Sequence, residues 1–178
     1  GTGFFPTITY AEYCLMRAEF IERGITGGSA EEWYNKGIEA SLRFYDARAA
    51  AAMLPDYTPL TDGEISDYLA TPDVKYDASK GLEQIITQAY LNFFKQPNEA
   101  WANYKRTGMP NSSTALANET ITIDGTARAI PRRAQLTAPA ETDQNFDTKT
   151  AALQEMATDP AFGQGPGDGF GRTWWDVE

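Results

Sequence analysis

A mainly α fold is predicted for this 178-residue sequence, with tetratricopeptide-like helix pairs, one small β-hairpin and a long irregular C-terminal segment. Apolar residues recur at intervals of three and four along residues 1–110, as on the buried face of an amphipathic helix. Three Ser or Thr residues there precede a Glu by three positions, the spacing of a capping box at a helix start. Both signals weaken beyond residue 110. We therefore expect a single domain over 1–178, helical over 1–110, with a hairpin, a short helix and irregular structure over 111–178.

The first two helices are predicted to form an antiparallel pair. Thr9 and Glu12 make a capping box, Gly24 is typical of a helix end, and the helix between them has an apolar stripe: Ala11, Cys14, Leu15, Ala18, Ile21 and Ile25. Ser29 and Glu32 make a second box before a helix that runs to about Ala52, with Tyr34, Ile38, Leu42 and Tyr45 on one face. A helix pair of this kind resembles tetratricopeptide packing.

Three further helices are predicted before residue 110. Thr61 and Glu64 begin a short one that ends before Pro72 and carries Ile65, Tyr68 and Leu69. The clearest apolar stripe in the chain follows: Leu82, Ile85, Ile86, Ala89 and Phe93. Pro97 then suits the first position of a helix that Gly108 and Pro110 end. Trp33, Trp101, Tyr34 and Tyr104 lie at stripe positions, so we expect them in the core.

The remaining chain favours a different structure. Asp124-Gly125 lies between two short β-forming runs, as in a tight hairpin. Residues 131–145 are predicted to be extended, residues 147–157 form a last helix capped by Asp147, and residues 159–171 form a glycine-rich loop.

Composition excludes several classes of function. The formal net charge is −10, which disfavours a nucleic-acid partner. The sequence contains no His and a single Cys, Cys14, so catalytic mechanisms that use imidazole and cysteine-based zinc sites are excluded. The longest nearly apolar run, residues 49–54, is too short to span a membrane. We expect no catalytic residues, no cofactor and no metal site.

Two segments resemble binding loops without matching them. The glycines at alternate positions, Gly163, Gly165, Gly167, Gly169 and Gly171, do not have the spacing of a dinucleotide-binding loop. Asp143, Asn145 and Asp147 resemble the start of a calcium loop, but Thr148 and Gln154 stand where that loop needs Gly and Glu. We interpret the glycine segment as a surface loop, and the acidic segment as a turn at Asn145 followed by a helix that Asp147 caps.

Trp174 and Trp175 are the candidate carbohydrate-binding residues. Adjacent side chains in an extended tail point in opposite directions, so one indole can be buried while the other stacks on a sugar. The favoured interpretation is that the pair anchors the C-terminus to the helical core.

Several short motifs also occur in an order found in one protein family. The first part of the chain has Tyr10-Ala11-Glu12, Arg17-Ala18-Glu19, Arg23-Gly24, Ser29-Ala30, Tyr34, Gly37-Ile38 and Ser41. The middle has Leu82-Glu83-Gln84-Ile85, Gln88, Glu99-Ala100-Trp101, Tyr104-Lys105-Arg106-Thr107-Gly108 and Pro110. The end has Pro131-Arg132-Arg133, Pro139, Glu141, Asn145 and Trp174-Trp175-Asp176. From about Thr9 to Asp176, this order resembles the SusD/RagB-like family of outer-membrane nutrient-binding lipoproteins of Bacteroidetes-type bacteria.

The resemblance implies a tetratricopeptide-like scaffold that binds a nutrient, expected to be an oligosaccharide, without catalysis. It also implies a partner, the SusC-type TonB-dependent transporter, and a place at the cell surface on the outer membrane. Members of the family are much longer than 178 residues, so we expect this chain to be the C-terminal part of one, with the lipid anchor in the missing N-terminal part. Two alternatives remain open: a helical scaffold that binds another protein and no glycan, and a glycan-active enzyme.

Overall fold

A computed structural model describes residues 4, 6–53, 55–117, 121–123, 125–128, 130–162 and 169–173. The chain divides into two compact units, Gly1–Asn118 and Glu119–Glu178. The mainly α prediction is confirmed, and the prediction of a single domain stays a prediction. The helices of the first unit are α1 (Tyr10–Glu22), α2 (Ala30–Ala51), α3 (Asp62–Ala70), α4 (Gly81–Asn92) and α5 (Pro97–Thr107), with a 3₁₀ turn at Phe93–Lys95.

The ends of these helices follow local sequence signals. Thr9 and Thr61 each accept a hydrogen bond from the backbone N–H of the Glu three residues on, and that Glu accepts one in return. Ser29 makes only the first half of its predicted box, by accepting from Glu32 N. Gly108 directly follows α5 and Gly24 lies two residues beyond the end of α1. Their φ values are 68° and 70°, a left-handed conformation that glycine adopts without the steric cost of a Cβ.

The first two helices pack against each other in antiparallel fashion. Near one end of the pair Gly28 lies against Ile21, and further along Gly37 lies against Leu15. A Cβ on Gly37 would meet Leu15 Cγ at 2.7 Å and the backbone oxygen of Ala11 at 3.4 Å, so the two backbones approach closely where the side chain is absent.

Gly37→Ala is expected to destabilise the chain by about 1–2 kcal/mol. The new methyl group would lie 2.7 Å from Leu15 Cγ, too close without a shift of the buried Leu15 side chain, so the overpacking cost is about 2–3 kcal/mol, and a gain of about 1 kcal/mol in helix propensity offsets part of it. The matched control is Gly63→Ala in α3, where the nearest atom to a new Cβ is Thr61 Oγ1 at 3.8 Å. Urea unfolding of both variants checks the prediction, which is wrong if Gly37→Ala is as stable as Gly63→Ala.

The core of the first unit lies where α1, α2 and α4 meet. Its buried members are Leu15, Ala18, Tyr34, Ile38, Val74 and Ile85, and Trp33, Leu42, Tyr68, Leu69, Tyr76 and Ala89 pack around them. Two residues assigned to apolar stripes are instead exposed. Ile25 lies beyond the end of α1, where no helix face holds it, and Trp101 is covered on one side by the Lys105 ammonium, 4.1 Å from the ring centroid.

The second unit contains a hairpin and one α-helix among its described residues. The strands β1 (Ile121–Ile123) and β2 (Thr126–Arg128) pair antiparallel with Thr122 opposite Ala127, as predicted from the Asp-Gly turn. Helix α6 (Phe146–Met156) follows the N-cap residue Asn145, whose side chain makes no capping bond. The prediction that Asp147 caps this helix is wrong, because Asp147 already lies within its first turn.

Candidate functional site

The candidate residues from the sequence fall largely outside the described structure. The described residues do not include Trp174 and Trp175, nor Gly163, Gly165 and Gly167. The carbohydrate-binding or anchoring role of the two Trp residues and the loop assigned to the glycines therefore stay predictions. Asp143 is described, and its carboxylate accepts from Lys149 Nζ at 3.1 Å and from Ala140 N at 3.4 Å. Within the described part of the chain, no group of three or more Asp, Glu or Cys residues is placed to hold a metal ion. Among the same residues, no helix combines the length and the apolar character of a membrane span.

The structure places a concave site on the first unit instead, which we call the α2–α4 groove. It has a volume of about 520 Å³, within the range of roughly 300–1,000 Å³ usual for small-molecule sites. Helix α2 forms its floor, and the loop before α3, α3 itself, α4 and the following turn form its walls. Its lining residues are Ile38, Ser41, Leu42, Tyr45, Asp46, Ala49, Tyr57, Thr58, Leu60, Tyr68, Gln88, Leu91 and Phe94.

One wall of the groove is fixed by Asp46. Its carboxylate accepts hydrogen bonds from the Tyr57 hydroxyl and from Leu60 N, the latter at 2.9 Å, and the Tyr57 hydroxyl also donates to the Asp46 carbonyl. The bond to Asp46 raises the pKa of Tyr57 to about 12, and the same bond, with that from Leu60, lowers the pKa of Asp46. The loop that carries Tyr57 is therefore held on α2 by a charged acceptor.

Two further polar groups line the groove. The Tyr68 hydroxyl and the Gln88 side-chain amide lie 3.3–3.5 Å apart, at the outer limit of a hydrogen bond. Gln88 is itself buried. The Tyr68 hydroxyl therefore retains capacity to donate to, or accept from, a ligand hydroxyl in the groove.

Aromatic rings form the rim. Phe94 is 78% exposed, and its ring stands edge-on to Tyr45, with centroids 6.2 Å apart. Tyr45 is held in turn because its hydroxyl donates to the Asn92 carbonyl at 2.7 Å. A flat apolar ring beside fixed polar groups suits a ligand with one apolar face and an edge of hydroxyl groups, which describes a pyranose sugar.

The charges of the groove do not suit glycoside hydrolysis. That reaction uses two carboxylic acids on either side of the glycosidic bond. Among the residues that line the groove, Asp46 is the single acid, and its carboxylate already holds Tyr57 and Leu60.

A smaller cavity of about 210 Å³ lies between α1, α4 and α5, around Glu19. Glu19 is buried, and its carboxylate accepts from Arg23 Nε at 2.7 Å and from two nitrogens of Arg106 at 2.5 and 2.9 Å. Arg106 also donates to Asn103 at 2.7 Å. Because this network saturates the carboxylate and ties α1 to α5, we assign it a structural role.

Sequence reasoning missed the groove as a site. The apolar pattern places Tyr45 and Tyr68 on helix stripes, and it gives no role to Tyr57. An available signal is the concentration of Tyr and Phe between residues 44 and 94, but their convergence depends on how α2, α3 and α4 pack.

Comparison with known proteins places the chain among SusD-like proteins. A family model described as "SusD-like_2: Starch-binding associating with outer membrane" matches residues 4–136. No curated protein matches the sequence.

Among solved structures, a chitin-binding protein is 28% identical over 98% of this chain and 34% of its own, with a TM-score of 0.67. A protein described as Bacteroidetes AC2a SusD-like is 27% identical over 96% of this chain and 30% of its own, with a TM-score of 0.66. A SusD homologue from Bacteroides fragilis is also 27% identical over 96% of this chain and 34% of its own, with a TM-score of 0.63. The chain therefore spans about a third of the length of these structures.

Proposed function

The chain belongs to the SusD-like family, and from this membership we propose that it binds an oligosaccharide nutrient without catalysis, as part of an outer-membrane uptake system. The match over residues 4–136, which contains the whole α2–α4 groove, is the observation that carries the proposal. The family description refers to starch and one structural relative is a chitin-binding protein, so the ligand class is an oligosaccharide of pyranose units.

The groove supports this ligand class in three ways. Phe94 offers an exposed ring for the C–H face of a sugar, and the Tyr68 hydroxyl offers a donor and an acceptor for its hydroxyl groups. The Asp46–Tyr57 contact fixes the loop wall before a ligand arrives, so less conformational entropy is lost on binding. Neither a cofactor nor a metal ion has a role in this mode of binding.

Two further parts of the proposal rest on the family rather than on the groove. The partner is a SusC-type TonB-dependent transporter, and the protein lies at the cell surface on the outer membrane. Because the chain spans about a third of its solved relatives, we also propose that it is one part of a longer SusD-like polypeptide.

Phe94→Ala is expected to weaken oligosaccharide binding by about fivefold to tenfold, because the loss of a stacking ring is worth about 1 kcal/mol or slightly more. Its melting temperature should change little, since the ring is mostly exposed. Isothermal titration with malto-oligosaccharides and chito-oligosaccharides measures the affinity, and Phe20→Ala on α1 is the matched control, since it removes another exposed Phe outside the groove.

Two results would contradict the proposal. If neither series of oligosaccharides binds the wild-type chain, the ligand class is wrong. If Phe94→Ala and Phe20→Ala bind equally well, sugar binds elsewhere. Release of reducing ends during the incubation would contradict the non-catalytic part separately.

A further inference from the structure

The smaller cavity between α1, α4 and α5 has the properties of a second binding site, and we call it the α1–α5 cavity. It shares no described lining residue with the α2–α4 groove. Its volume of about 210 Å³ equals that of about seven waters at about 30 Å³ each. Because this volume is below the range usual for drug-sized ligands, the cavity suits one small molecule rather than an oligosaccharide.

The cavity combines an apolar wall with several polar groups. Leu15, Ile85 and Phe93 are buried and form part of the wall. The polar lining comes from α1 and α5: Glu12, Glu19, Glu99, Asn103 and Arg106. A mostly apolar lining with a few placed polar groups is the usual composition of a small-molecule site.

The polar groups are ordered along the two helices. Glu12 and Glu99 both lie in the first turn of their helix. Glu19 and Arg106, which are hydrogen-bonded to each other, each lie seven residues further on, about two turns away. The cavity therefore has a carboxylate end at Glu12 and Glu99, and Asn103 lies between the two ends along α5.

The carboxylate end carries unbalanced negative charge. Arg106 and Arg23 both pair with Glu19, whereas among the described residues no ion pair involves Glu12 or Glu99. Burial raises the pKa of Glu12, the hydrogen bond from Thr9 N opposes this rise, and the nearby Glu99 carboxylate adds to it. A cation bound between Glu12 and Glu99 would be attracted by both carboxylates and would relieve their repulsion.

Asn103 indicates that the ligand also carries an acceptor. Its side chain is buried, and its Oδ1 accepts from Arg106 Nη2 at 2.7 Å. Its Nδ2 is buried without an acceptor among the described residues. Buried donors normally have a partner, since an unpaired one is costly. A lysine side chain would supply the cation but no acceptor, so a ligand with both an ammonium group and an oxygen fits better.

We propose that the α1–α5 cavity binds a 2-amino-2-deoxy sugar. Its ammonium group lies between Glu12 and Glu99, and one of its hydroxyl oxygens accepts from Asn103 Nδ2. The C–H groups of the ring pack on the apolar wall. The choice of a sugar among small amino alcohols rests on the proposed function, whereas the requirement for an ammonium group and an acceptor rests on the cavity alone.

Three sugars that differ only in the group on C2 test this proposal: glucosamine, glucose and N-acetylglucosamine. Each is titrated near pH 7 into the ¹⁵N-labelled 178-residue chain and followed by NMR. Glucosamine should bind at least tenfold more tightly than the other two, which have no ammonium group. It should shift the side-chain amide signals of Asn103 and leave those of Gln88, which lines the groove, in place.

Glu99→Gln should weaken glucosamine binding by about tenfold, because it removes one charge-assisted hydrogen bond. The matched control is Glu31→Gln, which makes the same change in the first turn of α2, outside the cavity, and should leave the affinity unchanged. Both glutamates are exposed, so neither variant should disturb the fold.

Equal affinities for glucosamine and glucose would overturn the proposal, as would equal affinities of Glu99→Gln and Glu31→Gln for glucosamine. Shifts at Gln88 in place of Asn103 would put the sugar in the groove and contradict it. Ethanolamine binding as tightly as glucosamine would show that the site does not recognise a sugar. Titration with malto-oligosaccharides or chito-oligosaccharides tests the groove separately, so failure of one proposal can be distinguished from failure of the other.

Discussion

Tyr34→Ala is expected to lower the free energy of unfolding by about 3–5 kcal/mol, the usual cost of removing a large aromatic side chain from a core. Tyr34 is fully buried, and its ring packs on Tyr76 with centroids 5.4 Å apart. Its hydroxyl donates to the Val74 carbonyl at 2.7 Å, which attaches the segment before α4 to α2. The substitution therefore removes core volume and a long-range hydrogen bond together.

Two further variants separate these contributions. Tyr34→Phe keeps the ring and leaves the buried Val74 carbonyl without its donor, so it should cost about 1–3 kcal/mol. Tyr10→Ala removes the same side chain from an exposed position and should change stability by about 0.5 kcal/mol or less. Urea unfolding followed by far-UV circular dichroism gives all three values. A Tyr34→Ala variant as stable as Tyr10→Ala would show that the core is not centred on Tyr34.

Arg106→Met is expected to lower the free energy of unfolding by about 1.5–3 kcal/mol, the range for hydrogen bonds to a charged group. The buried member of the network is Glu19, whose side chain is 8% exposed, whereas that of Arg106 is 52% exposed. Loss of Arg106 leaves a buried carboxylate with Arg23 as its remaining partner, and loss of a partner from a buried ion is costly. The control is Arg43, which forms exposed ion pairs with Glu39 and Asp62, and Arg43→Met should lower the free energy of unfolding by less than about 1 kcal/mol.

The Glu19 network also predicts a pH dependence. Burial opposes the charge on Glu19, but the hydrogen bonds from Arg106 and then Arg23 outweigh it and hold the pKa of Glu19 below its usual value. A lowered folded-state pKa stabilises the fold at pH values above the ordinary carboxyl pKa, and this stabilisation is lost as pH falls through the folded pKa.

The stability difference between wild type and Glu19→Gln should therefore be largest near pH 7 and should shrink as the solution is acidified. Urea unfolding of both proteins at several pH values between 7 and 3 measures it. A difference that is constant with pH would show that Glu19 is not held ionised by the two arginines.

Local signals in the sequence were sufficient for the helices of the first unit and for the starts of α1, α3 and α5. Thr9 and Thr61 begin helices because a hydroxyl and a Glu three residues on satisfy backbone N–H groups of the first turn. Pro97 begins α5 because its missing N–H is not needed there. The same locality explains the hairpin, whose turn is determined by two adjacent residues. The family resemblance was also correctly predicted, because it depends on the order of short motifs along the chain.

Packing decided the functions of individual side chains. The periodicity of α2 indicates that Tyr34 and Tyr45 share one face, yet Tyr34 is buried in the core and Tyr45 lines the groove. Helix α4 covers Tyr34, whereas the loop that is hydrogen-bonded to Asp46 leaves Tyr45 open to the groove. A sequence period specifies which side chains point the same way, but not which neighbouring element covers them.

Helix α1 shows most clearly the difference between what the local sequence determines and what tertiary packing decides. Its sequence determines a capped helix with one apolar stripe, and the structure buries that stripe from Ala11 to Ala18, whereas Ile25 lies beyond the helix and is exposed. That Tyr10, Tyr13, Met16 and Phe20 form a second, exposed apolar face was decided by tertiary structure, because exposure depends on which surfaces of α2 and α4 reach the helix. Helix formation depends on contacts within a few residues, whereas the groove and the exposed apolar side of α1 depend on contacts between residues far apart in the chain.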